Sequence, residues 1–315
     1  MRRSLGRVTS LLPRRSDYAM VQRTWKGDLI AGITVGIVAL PLALAFGVSS
    51  GAGAEAGLIT AIVAGIVAAV FGGSNIQVSG PTGAMVVVLG PIVAAQGPEV
   101  VALVTLMAGV MVVIAAVLRL GRAVAVIPWP VIEGFTLGIA AIIFLQQVPS
   151  ALGAPAGPST NSLVAAVQTI FATDWSAALV PLAIVVVVAV IMVVAPLVRP
   201  WVPGSIIAIV VVTLITTWMA LPVDTIGALP SALPAPGLPK LSGVDIAELL
   251  IPDGTFAALA AIESLLSARV GASLADSGRL DPDRELVGQG LASVASGLFG
   301  GMPATGAIAR TAVNV

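Results

Sequence analysis

Cysteine and histidine are absent from this 315-residue chain, and charged residues make up only 10% of it. Without thiols and imidazoles the chain cannot form disulfide bonds, thiolate nucleophiles, imidazole bases or the usual zinc sites. No paired aspartates in the apolar stretches replace them as a catalytic set. We therefore expect a protein that is not an enzyme and that carries no cofactor, with Na⁺ considered only as a coupling ion.

Apolar residues dominate what is present, at 58% of the chain with a mean hydropathy of +1.08. A soluble core cannot use that much apolar sequence, so we expect an all-α polytopic protein embedded in a lipid bilayer. Apolar segments able to cross or half cross a bilayer lie near 28–47, 56–72, 82–95, 100–118, 131–148, 177–197, 202–221, 254–271, 285–299 and 305–315. Two loops interrupt them: 149–174, with a short surface helix, and 222–252, proline-rich and external.

Lysine and arginine predict the orientation of these segments, because they accumulate on the cytoplasmic side. Seven precede the first segment: Arg2, Arg3, Arg7, Arg14, Arg15, Arg23 and Lys26. With that end inside, six more fall inside: Arg119, Arg122, Arg199, Arg269, Arg279 and Arg284. Lys240 alone falls outside, and Arg310 lies within the tenth segment. We therefore predict a basic cytoplasmic N-terminus over 1–27, a transmembrane domain over 28–315, and a plasma-membrane or inner-membrane location.

Two short runs resemble each other, and each interrupts apolar sequence. The first is FGGSNIQVSGPTGAM, from Phe71 to Met85, and the second is FGGMPATGAI, from Phe299 to Ile308. Each leaves an apolar segment at Phe-Gly-Gly, passes a proline and restarts a helix at Thr-Gly-Ala. In the predicted orientation the matching segments enter the membrane from opposite sides. This pattern predicts an inverted repeat with a substrate site between two half-helices.

The expected chemistry of these breaks is anion binding. A helix that starts at mid-membrane exposes unpaired backbone N–H groups and the positive end of its dipole, and two facing starts form an anion cradle. We predict that six residues at these starts bind the substrate: Thr82, Gly83, Ala84, Thr305, Gly306 and Ala307. The threonines can cap the helices or donate hydroxyl hydrogen bonds, the glycines let an anion approach the backbone, and the alanines keep the site small.

Glu263 is the second candidate, because it lies near the middle of the eighth segment, where a carboxylate is costly and by default functional. Ser267 shares its helix face, so the pair could bind Na⁺ through oxygens or carry a proton. The structural alternative is a buried neutral Glu263 that packs helices. Arg310 either adds positive potential to the anion site, which we favour, or pairs with Glu263.

Five stretches form a specific set of motifs: DLIAGITVGIVALPLALAFGVSSG (28–51), VSGPTGAM (78–85), IPWPVIEGF (127–135), AAIESLLSAR (260–269) and ELVGQGLASVASGLFGGMPATGAIARTA (285–312). Together they resemble the SulP (sulfate permease) family of inorganic anion transporters, from about residue 28 to the last residue. The resemblance implies a seven-plus-seven inverted-repeat fold in which helices three and ten are half-helices.

By the same resemblance, helices one to four and eight to eleven would form a core, and helices five to seven and twelve to fourteen a gate. The core would carry the anion past the gate in an elevator mechanism. The chain ends within helix ten. We therefore expect that the rest of the gate and the cytoplasmic STAS domain usual in the family belong to a longer gene product.

The resemblance also bears on the coupling cation and on the transported anion. Glu263 and Ser267 match the family's coupling-cation position, where Na⁺-dependent bicarbonate importers usually have aspartate and threonine. The longer glutamate leaves Na⁺ and H⁺ both open. Many sulfate-handling members have Pro-Gln where this chain has Pro41 and Leu42, which slightly favours a bicarbonate-like substrate.

We therefore predict secondary active transport of a small inorganic anion of the sulfate or bicarbonate class, coupled to Na⁺ or H⁺. Two alternatives remain, a passive anion channel on the same scaffold and a nucleobase transporter of similar fold. The retained acid favours coupling, and the half-helix starts suit a small anion. The expected partners are the anion, the lipid bilayer and a second copy in a homodimer of the full-length protein, with no nucleic acid.

Overall fold

A computed structural model of the chain describes residues 11–19, 21–122, 128–159, 161–198, 204–223, 225, 229, 231–239, 246–275, 278 and 280–314. Six of the basic residues that predict the orientation lie outside the described residues: Arg2, Arg3, Arg7, Arg199, Lys240 and Arg279. Ile127, the first residue of the third motif, and Val315 also lie outside them. The orientation of the chain therefore stays a prediction.

The described chain is mostly helical, as predicted. Its helices are α1 (Val21–Ser49), α2 (Ala54–Phe71), α3 (Gly83–Gln96), α4 (Val101–Val117), α5 (Trp129–Gln146), α6 (Val148–Leu152), α7 (Ser162–Ala172), α8 (Trp175–Val198), α9 (Gly204–Trp218), α10 (Ile246–Leu274), α11 (Pro282–Leu298) and α12 (Ile308–Val313). Among the described residues, five stretches are long and apolar enough to cross a membrane: α1, α2, Pro98–Val117, α8 and Leu249–Leu274. The architecture is that of a multi-pass membrane protein.

Some helix bounds differ from the prediction. Helix α10 begins at Ile246 and not at Gly254, because Pro252 lies inside the helix and does not end the preceding loop. Proline is tolerated in membrane helices, where neighbouring groups satisfy the freed carbonyl. Helix α1 begins at Val21, so the end of the predicted N-terminal anchor is helical.

The helix predicted within 149–174 is present as α7, with the short α6 before it. Asn161 caps α7, because its side-chain oxygen accepts hydrogen bonds from the N–H groups of Leu163 and Val164 at 3.0 and 3.2 Å. Asp281 caps α11 in the same way.

The chain divides into two compact units. One consists of Met1–Gly134 with Leu229–Val315, and the other of Phe135–Ala228. The first unit contains a hydrophobic cluster contributed mainly by α3, α4, α10 and α11. Within it α4 and α11 pack closely, since a side chain at Gly109 would lie only 2.7 Å from the backbone nitrogen of Val294. Small residues allow this approach between membrane helices.

Two very short strands lie at the breaks in the apolar sequence. They are β1 (Ser79–Gly80) and β2 (Thr305–Gly306), and they pair antiparallel with Ser79 opposite Gly306. Helix α3 starts directly after Thr82, as predicted. The prediction that a helix also restarts at Thr305 is wrong, because Thr305 pairs as a strand and α12 begins only at Ile308.

Candidate functional site

The first break, between α2 and α3, is held in place by α11. The backbone N–H groups of Gly73 and Ser74 donate to one carboxylate oxygen of Glu285 at 2.8 and 2.9 Å. The side-chain amide of Gln289 donates to the other oxygen at 2.8 Å and to Ser79 Oγ at 2.6 Å. Glu285 is 1% exposed, and these bonds satisfy two partly buried backbone N–H groups that lie outside any helix.

The second break, between α11 and α12, is satisfied by hydroxyl groups instead. The N–H of Met302 donates to Thr60 Oγ1 at 2.7 Å, and the N–H of Ala304 donates to Ser293 Oγ at 3.2 Å. Thr60 lies in a π-helical turn inside α2. Such turns are frequent at functional positions of helices.

The two breaks meet at Glu263. Thr82 Oγ1 and Thr305 Oγ1 lie 2.9 Å apart, and they donate to Glu263 Oε2 from 2.9 and 2.8 Å respectively. Thr82 and Thr305 are 5% and 0% exposed. The predicted proximity of the two threonines is therefore confirmed, whereas their role in binding an anion stays a prediction.

The threonine side chains do not cap the helices that follow them. Thr82 makes no side-chain hydrogen bond to the start of α3, since its hydroxyl is turned to Glu263. The adjacent Gly83 and Ala84, both predicted site residues, are buried at this start.

The second start differs from the prediction, which assumed exposed N–H groups there. The N–H of Gly306 donates to Ser264 Oγ at 3.1 Å, and the N–H of Ala307 donates to the Val78 carbonyl at 2.8 Å. The Ser264 side chain of α10 has therefore used one of these donors, and backbone pairing with the first break has used the other. Ser264 was missed by the sequence analysis, and its position next to Glu263 on the chain was the available signal.

Arg310 is buried beside the first break. It is 2% exposed, and its Nη2 donates to the Pro81 carbonyl at 2.6 Å. Among the described residues no ion pair joins Arg310 to Glu263. The role of Arg310 in adding positive potential to an anion site stays a prediction.

Ser267 shares α10 with Glu263 but has a different partner. Its Oγ lies 3.1 Å from Thr311 Oγ1, which also accepts the N–H of Val78 at 3.1 Å. The two predicted cation ligands thus belong to two neighbouring hydrogen-bonded groups. Glu263 contacts the two threonines, and Ser267 contacts α12.

Gln77, which the sequence analysis missed, lies beside these groups. A side chain at Gly306 would overlap the Gln77 amide and would lie 3.1 Å from Ser267 Cβ. Both polar atoms of the Gln77 amide are buried and have no hydrogen-bond partner among the described residues. An unpaired buried amide is unfavourable, so Gln77 costs stability at this position.

Two hydroxyl donors, a carboxylate and a buried guanidinium thus converge where two chain breaks pair. The hydroxyl groups and the positive charge can bind a small anion, and the carboxylate with the neighbouring hydroxyl oxygens can bind a cation.

Comparisons with known proteins agree with the family that the sequence motifs resemble. The family model described as "Sulfate permease family" matches residues 25–315. The protein YvdB of Bacillus subtilis (strain 168) is 40% identical over 298 residues, covering 91% of this chain and 55% of YvdB. The bicarbonate transporter BicA of Synechocystis (strain PCC 6803) is 35% identical over 313 residues, covering 93% of this chain and 53% of BicA.

A solved structure is similar in fold as well as in sequence. The transmembrane domain of a cyanobacterial bicarbonate transporter BicA aligns with a TM-score of 0.82 and 34% identity, over 93% of this chain and 76% of that one. The chain spans about half the length of the curated relatives that it matches.

Proposed function

The chain belongs to the sulfate permease family, and we propose that the protein transports a small inorganic anion of the sulfate or bicarbonate class, coupled to Na⁺ or H⁺. The observation that carries this proposal is the meeting of Thr82, Thr305 and Glu263 at two paired chain breaks. It places a carboxylate in direct contact with hydroxyl groups that suit an anion.

Anion binding in this proposal depends on three sources of positive potential or hydrogen bonds. The threonine hydroxyl groups donate directly. The start of α3, a helix of 14 residues, supplies the positive end of a dipole, with Gly83 and Ala84 at its first turn. Arg310 adds a positive charge that is weakly screened because it is buried.

Coupling is proposed to act through Glu263 and Ser267. The acid contacts the anion's donors, and the hydroxyl lies on the same helix face one turn further along α10. A cation bound between them would change the charge beside the anion site, so that anion and cation affinities depend on each other. Both Na⁺ and H⁺ fit this role.

Movement is proposed to follow the elevator scheme, with a homodimer of the complete protein in the plasma or inner membrane and the N-terminus in the cytoplasm. The unit Phe135–Ala228 contains most of α5 and all of α6–α9. This division corresponds to the predicted gate segments five to seven, which supports a gate that is separate from the core.

Uptake by the complete protein in proteoliposomes tests the proposal. Radiolabelled sulfate and bicarbonate are compared with and without inward Na⁺ and pH gradients. Accumulation of one anion above equilibrium, driven by one gradient, is expected. Flux of the anion only down its own gradient would instead identify a passive channel, and uptake of labelled uracil in place of either anion would identify a nucleobase transporter.

Glu263→Gln tests the coupling role. The amide has nearly the same shape and costs less to bury than a carboxylate, so the protein should fold and lose its cation dependence. Unchanged dependence on Na⁺ and on pH would assign Glu263 to helix packing.

A further inference from the structure

The carboxylate of Glu263 occupies the same two hydroxyl groups that the proposed anion would need. Thr82 Oγ1 and Thr305 Oγ1 are both hydrogen-bonded to Glu263 Oε2, at 2.9 and 2.8 Å. A threonine hydroxyl has a single hydrogen to donate. While both hydrogens point at the carboxylate, neither hydroxyl can donate to a second anion.

We infer that Glu263 is a tethered competitor of the transported anion, so that the anion binds to Thr82 and Thr305 only after the carboxylate has left them. The inference rests on the proposed function and adds the order in which the site is filled. Two anionic groups at the same hydroxyls would also repel each other strongly, because the site is buried.

The exposure of the three side chains shows which of them can move. Thr82 and Thr305 are enclosed, at 5% and 0% exposed, whereas Glu263 is partly exposed. The glutamate side chain is also the longest and has the most rotamers. The carboxylate can therefore leave by rotation, while the threonines stay in place for the incoming anion.

The neighbouring hydroxyl group provides a second position for the carboxylate. Ser267 lies one turn further along the same face of α10, and its Oγ lies 3.1 Å from Thr311 Oγ1. A cation held by these oxygens would attract the carboxylate away from Thr82 and Thr305. On this scheme the cation need not contact the anion, because it acts by removing the competitor.

A double-mutant cycle on the complete protein tests the inference, with binding of radiolabelled sulfate and bicarbonate measured in Na⁺-free buffer. Glu263→Ala is expected to bind the transported probe about tenfold more tightly than the wild type, the scale of one charge-assisted hydrogen bond. In a Thr82→Val/Thr305→Val background the same change is expected to alter affinity by less than about twofold. Glu99→Ala, which removes an exposed carboxylate, is the control and should have no effect.

Glu263→Asp provides a variant that keeps the charge but shortens the side chain, so it should give part of the gain in affinity. Equal gains from Glu263→Ala in the two backgrounds would overturn the inference, since repulsion through space would then set the affinity. Weaker anion binding by a well-folded Glu263→Ala protein would also overturn the inference. If the Glu263→Ala protein does not fold, unchanged anion affinity in Glu263→Asp would overturn the inference instead. Absence of binding of either probe to the wild type, with or without Na⁺, would contradict the proposed function itself.

Discussion

The two breaks that meet at Glu263 share a sequence pattern but are built differently. The first leads directly into α3, with Thr82 as the residue before the helix. The second is shorter between its Phe-Gly-Gly and Thr-Gly-Ala, and there Thr305 belongs to a strand. The same tripeptide thus starts a helix in one break and forms a strand in the other. What the chain does at Thr-Gly-Ala depends on its partners across the site.

Strand pairing nevertheless keeps the two breaks in corresponding positions. Strands β1 and β2 run antiparallel with Ser79 opposite Gly306. Continued along the chain, this register would oppose Pro81 and Ala304, and each of them directly precedes a Thr-Gly-Ala. Equivalent residues face each other when a two-fold axis relates two antiparallel segments. The register therefore supports the proposed inverted repeat.

The difference between the breaks implies that they would contribute unequally to the proposed anion binding. At the second break the N–H groups of Gly306 and Ala307 are already hydrogen-bonded. The dipole contribution is therefore expected from α3 alone, while the second break contributes the Thr305 hydroxyl and the charge of Arg310. The original expectation of two equal helix starts is replaced by one helix start and one charged side chain.

Loss of Glu285 is expected to be the most damaging single change at either break. Glu285→Ala would remove the acceptor of the partly buried N–H groups of Gly73 and Ser74 and a partner of the buried Gln289 amide, at a cost of about 2–3 kcal/mol. Thr60→Val at the second break removes the acceptor of one N–H and should cost about 1–2 kcal/mol. Thermal unfolding of the purified protein measures both. The reverse order of unfolding midpoints would mean that hydroxyl groups anchor the second break more firmly than the carboxylate anchors the first.

Close backbone contact at the first break leads to the second prediction. A side chain at Gly288 of α11 would lie 2.5 Å from the backbone nitrogen of Gly72, so Gly288→Ala should cost about 1–3 kcal/mol of stability. At the second break, Gly301→Ala meets the side-chain oxygens of Ser296 and Thr60 first. These can shift more readily than the backbone of Gly72, although their hydrogen bonds to Met302 would weaken, so the loss should be smaller.

Gly254→Ala is the matched control for this pair, because a side chain there meets nothing within 4 Å. Helix propensity should make that variant more stable by up to about 1 kcal/mol. Equal unfolding midpoints for Gly288→Ala and Gly301→Ala would show that the two breaks tolerate crowding equally.

Much of the fold could be predicted from the sequence, because it depends on composition and on local breaks in it. Apolar runs locate membrane helices, and Gly-Gly with proline interrupts them, so α2, α3 and α11 lie close to their predicted bounds. The strand at Thr305 could not be predicted in this way. It forms through pairing with a segment more than two hundred residues earlier, which no local pattern records.

The sequence predicted several residues of the candidate site but not the contacts between them. Glu263 was identified because a carboxylate in an apolar segment is costly. Its contact with both threonines was not predicted, since it arises from the approach of α10 to two breaks that are distant in sequence. Gln77 and Glu285 were missed for the same reason, because a polar residue at a break or helix end is ordinary until its neighbours are known.

A substitution of Arg310 tests whether the second break contributes a positive charge to anion binding. Arg310→Gln should weaken anion binding by about one to two orders of magnitude, the scale of one charge several ångströms away at an effective dielectric constant of about 20. Arg122→Gln is the control, because that side chain is 71% exposed. The factor by which Arg310→Gln weakens anion binding should be the same at low and at high salt, since a buried charge is poorly screened. Unchanged affinity in Arg310→Gln would leave α3 and the threonines as the whole site.

The smallest effect is expected at Gln77, in the first break. Its amide atoms are buried and have no hydrogen-bond partner within the described part of the chain. Gln77→Met keeps an unbranched side chain of similar length, so it should leave the free energy of unfolding unchanged or raise it by about 1 kcal/mol. Gln289→Met is the contrast, because Gln289 donates to Glu285 and Ser79 at 2.8 and 2.6 Å, and its loss should lower the midpoint. A lower midpoint for Gln77→Met as well would mean that the amide binds a water molecule or ion in the working protein. If so, cation dependence of uptake should weaken in that variant, and the first break would contribute to coupling as well as to anion binding.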